Sequence, residues 1–199
     1  MNFEILVATN NVHKLKEIRQ ILSPHKITVY GMKDLNIDIG EVEENGVTYF
    51  ENALIKAEAL QKITKMPIIA DDTGLEIVSM DNRPGLYTAR YAESLGGHQE
   101  AFKDIFKNIE GKDRTAYFIC DIVLLNVEDK PLRFEAKIPG HIATEISGEG
   151  GFGYDPIFIC DELGKTYAAM SQEEKNHVSH RGKALKKLLT YLKINNYIA

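Results

Sequence analysis

Short apolar runs alternate with helix-period stripes along the first half of this chain. Phe3-Glu4-Ile5-Leu6-Val7-Ala8 has the length and content of a buried strand. Asn10 or Asn11 then stands where a helix cap belongs, ahead of Leu15, Ile18, Ile21 and Leu22 on one face, with Pro24 just past the end. Ile27 to Tyr30 predicts a second strand. Thr48 and Glu51 have capping-box spacing, and Phe50, Leu54, Ala57 and Leu60 form the inward stripe of the helix that follows. Pro67 to Asp71 predicts a buried strand that stops at two aspartates, and Leu75 to Val78 another.

The second half is punctuated differently. Pro84-Gly85 marks a loop, and His98 to Glu110 is helical in period. Thr115–Val127 and Leu132–Ile138, split by Glu128-Asp129-Lys130-Pro131, predict a long hairpin. Ile142 to Ile146 and Pro156 to Cys160 predict further strands, with a glycine-rich loop from Gly148 to Gly153 between them. Ser171 and Glu174 repeat the capping box, and Leu185, Leu188, Leu189 and Leu192 line a last helix. Strand–helix alternation followed by a hairpin predicts an α/β fold, a long mixed sheet flanked by helices.

Composition adds limits. The chain has 199 residues, of which 44% are hydrophobic and 27% charged, enough for one domain with a proper core. Its net charge of −5 disfavours a nucleic-acid polymer as partner, so an anion site must be a local cationic pocket. No apolar run approaches the ~20 residues that span a bilayer, and the first strand begins without a leader pattern, so the expected partner is not a membrane. Cys120 and Cys160 sit in apolar runs and read as buried thiols of a cytoplasmic protein.

Several segments carry candidate chemistry. Thr9-Asn10-Asn11-Val12-His13-Lys14 opens a helix after a strand, a place where anions bind. It is not a P-loop, and Lys14 in the first turn opposes the helix dipole, so it needs an anionic partner or open solvent. An ordinary capped helix with a solvated lysine is the plain alternative. Asp71 and Asp72 point to opposite sides of a strand. One carboxylate can serve a divalent metal while the other anchors the chain, or both can belong to a turn with Gly74. The run Glu41, Glu43, Glu44 is a second source of metal ligands or a solvated loop. Gly148-Glu149-Gly150-Gly151-Phe152-Gly153 matches a dinucleotide fingerprint only literally, since Pro156 and a strand follow rather than a helix. Phe152, Tyr154 and Asp155 can instead face a base, or the segment can be a tight turn with Phe152 in the core. Lys175, His180 and Arg181 gather around the start of the last helix, where Arg181 can donate to a carbonyl oxygen and His180 can serve as a cap.

Seven blocks, in order, resemble the inosine triphosphate pyrophosphatase family across nearly the whole chain. They are Thr9-Asn10-Asn11 through Lys14, Glu41-Val42-Glu43-Glu44-Asn45-Gly46, Phe50-Glu51-Asn52-Ala53 through Lys56, Ala70-Asp71-Asp72-Thr73-Gly74, Pro84-Gly85 with Ala89-Arg90-Tyr91, Gly151 to Pro156, and Glu174-Lys175-Asn176 with Ser179-His180-Arg181-Gly182. Two positions depart from the usual pattern: Thr73 replaces Ser and Asn10 replaces Gly. Thr keeps the hydroxyl, and Asn tolerates a positive φ.

The resemblance implies a single domain, 1–199, with two lobes and a central cleft. It implies Mg2+-dependent hydrolysis of non-standard purine nucleoside triphosphates (ITP, dITP, XTP, dXTP) to the monophosphate and pyrophosphate, and a homodimer. It places the triphosphate on Thr9, Asn10, Asn11, Val12, His13 and Lys14 with Lys56, and the substrate against Thr73. It makes Asp72 the catalytic base and a metal ligand, joined from the acidic loop by Glu41 as first choice and Glu44 as second. The base falls to Phe152, Gly153, Tyr154, Asp155, Lys175, His180 and Arg181. Asp72 beside a metal ion would have a lowered pKa. Two other readings compete: a purine nucleotide sensor without turnover, and a Maf-type pyrophosphatase of modified pyrimidine nucleotides. Asp72, Lys14 and Lys56 oppose the first, and the Ser-His-Arg block opposes the second.

Overall fold

The computed structural model describes residues 2–199. Eight strands form one sheet in the order β2-β1-β3-β5-β6-β7-β8, with β4 paired to β3. The strands are β1 (Phe3–Val7), β2 (Ile27–Gly31), β3 (Ile68–Ile77), β4 (Arg83–Pro84), β5 (Thr115–Leu125), β6 (Leu132–Ile142), β7 (Phe158–Cys160) and β8 (Lys165–Thr166). β1 runs parallel to β2 and β3, whereas β3–β4, β6–β7 and β7–β8 are antiparallel, so the sheet is mixed as expected. The helices are α1 (Val12–Leu22), α2 (Tyr49–Gln61), α3 (Thr88–Ser94), α4 (His98–Asn108), α5 (Gln172–Val178) and α6 (His180–Ile194). Among the described residues no helix is long and apolar enough to cross a membrane.

The chain divides into two compact units. The first holds residues 1–72, 120–136 and 183–199; the second holds 73–119 and 137–182. In the first unit the strand alternation decides which side chain meets which helix. Ile5, Val7 and Ile69 share a buried cluster with Ile18 and Leu22 of α1 and Leu185, Leu188 and Leu192 of α6. Leu6, Ala8, Ile68 and Ala70 share another with Ala53, Ala57 and Leu60 of α2. Helices therefore cover both faces of these strands, which is why Ile5–Ala8 and Ile68–Ala70 are apolar without alternation. Leu188 is fully buried, and truncating such a side chain to alanine costs about 2–5 kcal/mol. The second unit has its own core, with Leu75, Phe102, Ile105, Phe118, Phe158 and Tyr167 at its centre.

Local chemistry sets the helix starts. The Asn11 carboxamide oxygen accepts from the amides of His13 and Lys14 and so caps α1. Thr48 accepts from the Glu51 amide, while the Glu51 carboxylate reaches back to the Val47 amide, one residue beyond the usual box. Ser171 and Glu174 form the reciprocal box at α5.

Three strand boundaries differ from expectation. β3 does not stop at the aspartates but continues to Ile77, merging two predicted strands. The alternative of a turn at Gly74 is therefore not taken, since Gly74 lies inside the strand. β6 passes through Pro139 to Ile142, so residues 142–146 form no strand of their own. Its partner β7 comes so close at Gly140 that a Cβ there would lie 2.2 Å from the Ile159 carbonyl oxygen. The expected strand from Pro156 shortens to Phe158–Cys160 because a turn occupies the residues before it.

Candidate functional site

The candidate residues form two sets, one in each unit. In the first unit β3 delivers the aspartates with opposite parity. Asp71 follows Ile69 onto the face covered by α1, and Asp72 follows Ala70 onto the face covered by α2. Asp71 is buried, and its carboxylate lies 3.3 Å from Lys14 Nζ. The lysine that opposes the α1 dipole thus has its anionic partner. Thr9 Oγ1 accepts from the Asn11 amide at 3.1 Å. Asn10, Asn11, Val12 and His13 remain exposed beside it.

On the other face Lys56 of α2 donates to the Asp71 carbonyl oxygen at 2.6 Å and pairs with Glu44 at 3.0 Å. Burial opposes the Lys56 charge, but the carboxylates of Asp71, Asp72 and Glu44 outweigh it and hold its pKa above the ordinary lysine value. Burial also pushes the Asp72 carboxyl upward; Lys56 and Lys14 pull the other way without reversing it, and Glu44 and Asp71 add to the rise. Asn52, one helical turn before Lys56, donates to Asp72 Oδ2 at 3.3 Å and accepts from the Gly46 amide at 2.8 Å. Asn52 was named from the sequence only as part of a block, with no role assigned to it. Its signal was there: Asn52 and Lys56 stand i, i+4 on one face of the predicted helix. Of the two acidic-loop candidates, Glu44 joins this charge cluster. Glu41 is exposed, and among the described residues none bonds to its side chain.

In the second unit Thr73 is half-buried on β3. The glycine-rich segment is a turn organised by Asp155. Asp155 Oδ2 accepts from the Phe152 amide at 2.9 Å and from Lys175 Nζ at 2.7 Å. Gly151 sits at φ +68°, and a Cβ there would lie 2.0 Å from that same oxygen, so only glycine fits. Gly153 is also left-handed, at φ +62°. The Phe152 ring lies over both cations, 4.6 Å from Lys175 Nζ and 5.8 Å from Arg181 Cζ. Tyr154 is buried and its hydroxyl donates to the Thr88 carbonyl at 2.6 Å, which makes it an anchor of the turn. His180 lies flat against Phe118, with ring centres 4.2 Å apart and planes 10° apart. Arg181 is 1% exposed and Lys175 2%. Ser179 accepts from the Gly182 amide at 3.1 Å, the geometry of a cap on α6.

Chemically, the first unit can hold phosphate oxygens with Lys14 and Lys56 and can orient a water with Asp72. Glu44 and Asp72 are hard oxygen donors that both act on the Lys56 charge. The second unit can hold a planar, oxygen-bearing ring with Phe152, Lys175 and Arg181. Among the described residues no three His, Cys, Asp or Glu side chains converge as a preformed metal cage.

Comparison with known proteins places this arrangement. The dITP/XTP pyrophosphatase of Treponema denticola is 41% identical over 194 residues, covering 96% of this chain and 98% of its own. The protein of the same name from Bacillus subtilis is 42% identical over 188 residues, covering 93% and 94%. Among solved structures, a HAM1 protein from Coxiella burnetii superposes with a TM-score of 0.84 at 36% identity, covering 96% of this chain and 98% of its own. The Ham1 family model matches residues 5–191, and the chain belongs to the Ham1 family.

Proposed function

We propose that this chain hydrolyses ITP, dITP, XTP and dXTP to the monophosphate and pyrophosphate, removing them from the nucleotide pool. The observation that carries the reading is the cluster of Lys14, Lys56, Glu44, Asp71 and Asp72, built by two helices on opposite faces of one strand. Full-length relatives named dITP/XTP pyrophosphatase, at 41–42% identity, support the same assignment.

In this reading Lys14 and Lys56 neutralise the triphosphate, with Thr9, Asn10, Asn11, Val12 and His13 around it. Because the Asn11 cap already uses the His13 and Lys14 amides, the charge on the phosphates is met by lysine side chains. Asp72 orients a water for attack at the α-phosphorus and accepts its proton. Without a metal ion its carboxyl is raised, chiefly by burial; Mg2+ on the same carboxylate would lower it, so positioning the water is its main task. Glu44 and Asp72 fit Mg2+, which takes one or two carboxylates and completes its shell with waters and phosphate oxygens; Glu41 is a further candidate ligand. When bound, the ion supplies positive charge to the leaving pyrophosphate.

The second unit's set takes the base. Phe152 stacks on the purine, and Lys175 and Arg181 donate to oxygen at its 6-position. Thr73, Gly153, Tyr154, Asp155 and His180 shape that surface. A 6-amino group offers no acceptor there, so adenine gains no charged hydrogen bond from these donors. The chain acts as one domain, as a cytoplasmic homodimer. The test is pyrophosphate release from ITP, dITP, XTP, GTP and ATP with Mg2+. The expected result is turnover of the inosine and xanthine nucleotides far above ATP. Equal rates on ITP and ATP would contradict the base assignment.

A further inference from the structure

We propose that Asn52 is a positioning residue that pins the acidic loop to the Asp72 carboxylate; this rests on the pyrophosphatase reading for the role of Asp72. The side chain is 5% exposed, and both ends of its amide are committed. The nitrogen donates to Asp72 Oδ2 at 3.3 Å, and the oxygen accepts from the Gly46 amide at 2.8 Å. The two partners lie on either side of it in sequence, and neither belongs to its own helix. One rigid carboxamide thus fixes the distance between the loop that carries Glu44 and the strand that carries Asp72.

Two further features favour a dedicated joint. A Cβ on Gly46 would lie 2.7 Å from Asn52 Oδ1 and 2.7 Å from Glu51 Cβ, so the loop reaches Asn52 only because residue 46 is glycine. Lys56, one turn on, holds Glu44 and the Asp71 carbonyl. Asn52 and Lys56 therefore grip the same loop and the same strand, one with a neutral amide and one with a charge. A neutral donor can orient Asp72 without cancelling the charge that its role requires. A lysine there would pair with the carboxylate, and a carboxylate would repel it.

The amide's two ends can be tested separately. Asn52→Asp keeps an acceptor for Gly46, removes the donor to Asp72 and puts a like charge in its place; Asn52→Ala removes both contacts and adds no charge. Hydrogen exchange at the Gly46 amide, read by NMR, reports the loop. Steady-state hydrolysis of ITP at saturating Mg2+ reports Asp72. Asn52→Asp is expected to keep wild-type protection at Gly46 while kcat falls about tenfold or more and KM stays within about threefold. Asn52→Ala is expected to lose the protection as well as the rate. If Asn52→Asp keeps more than a third of wild-type kcat, the amide is only a loop fastener and the proposal is wrong. If Gly46 exchange in Asn52→Ala matches wild type, the pin does not exist, whatever the enzyme turns over. A wild-type protein that releases no pyrophosphate would instead defeat the pyrophosphatase reading and, with it, the catalytic half of this role, while the exchange comparison would still decide the pin.

Discussion

Replacing Lys56 with methionine should destabilise the protein in a way that acid relieves. The side chain keeps most of its volume, so the effect is electrostatic rather than a cavity. Lys56 lies 3.0 Å from Glu44 and donates to the Asp71 carbonyl at 2.6 Å, and the charges of Asp71 and Asp72 also act on it. At an effective dielectric near 20, one pair at 3 Å is worth roughly 5–6 kcal/mol of gross attraction. Desolvation of the lysine cancels part of that, and Glu44 is one-third exposed, so water screens the pair further. A net loss of about 3 kcal/mol at pH 7 remains, close to the low end for stranding buried charge. For a chain of this size that lowers Tm by about 6–12 °C.

The pH dependence fixes the cause. Without Lys56, the Asp72 carboxyl, already raised, rises further in the folded state. A carboxyl raised above its unfolded value weakens the fold once pH exceeds the folded value. That penalty vanishes as pH falls below the unfolded value, near 4. The gap in Tm between wild type and Lys56→Met should therefore narrow as pH is lowered from 7 toward 4. Thermal melts by circular dichroism at a series of pH values measure it. A gap that is constant with pH, or below about 2 °C at pH 7, would refute the charge-balance account of this cluster.

Asp72→Asn should abolish turnover while leaving Tm near that of wild type; activity within about tenfold, or ~1.4 kcal/mol of barrier, would remove Asp72 from its role. Arg181→Lys, which keeps the charge in a fully buried position, should lower kcat/KM for ITP by one to two decades while ATP changes little, since a charged hydrogen bond contributes ~1.5–3 kcal/mol. Lys14→Ala should instead depress both substrates alike. Parallel losses on ITP and ATP in Arg181→Lys would make Arg181 a phosphate or structural residue. Tyr191 and Tyr197 both donate to Glu128, and that carboxylate holds the Tyr191 phenol up to about 12. In Glu128→Gln the ultraviolet tyrosine titration should gain ionisation nearer pH 10, and an unchanged curve would contradict the pairing.

The features legible in the sequence were those set by neighbours a few residues away. The caps at Asn11, Thr48 and Ser171, and the stripes of α1, α2 and α6, follow from local hydrogen bonds and helical period. The boundary of β3 was not legible, because Asp71-Asp72-Thr73-Gly74 is also good turn chemistry. What keeps it extended is pairing to β1 before the aspartates and to β4 after them, together with pairing to β5. The end of β6 was set too early for the same reason: the strand runs past Ile138 and through Pro139 to Ile142, where it pairs with β7. For the candidate site, opposite parity for the two aspartates was readable from strand alternation, and Lys14's need for an anion from its helix position. That Asp71 supplies that anion was not, since the two are brought together only by the β1–β3 pairing. Asn52 stood on the same helix face as Lys56, but its role was not legible, because its partner Asp72 lies 20 residues away. Nor can composition rank Glu41 against Glu44, because only the folded loop puts Glu44 on Lys56.

Attack of water at the α-phosphorus leaves an isotopic record in the products. ITP should be hydrolysed with Mg2+ in water enriched in oxygen-18 and the products separated and weighed by mass spectrometry. The account predicts one labelled oxygen in inosine monophosphate and none in pyrophosphate. Label in the pyrophosphate, or release of orthophosphate with a nucleoside diphosphate, would contradict it.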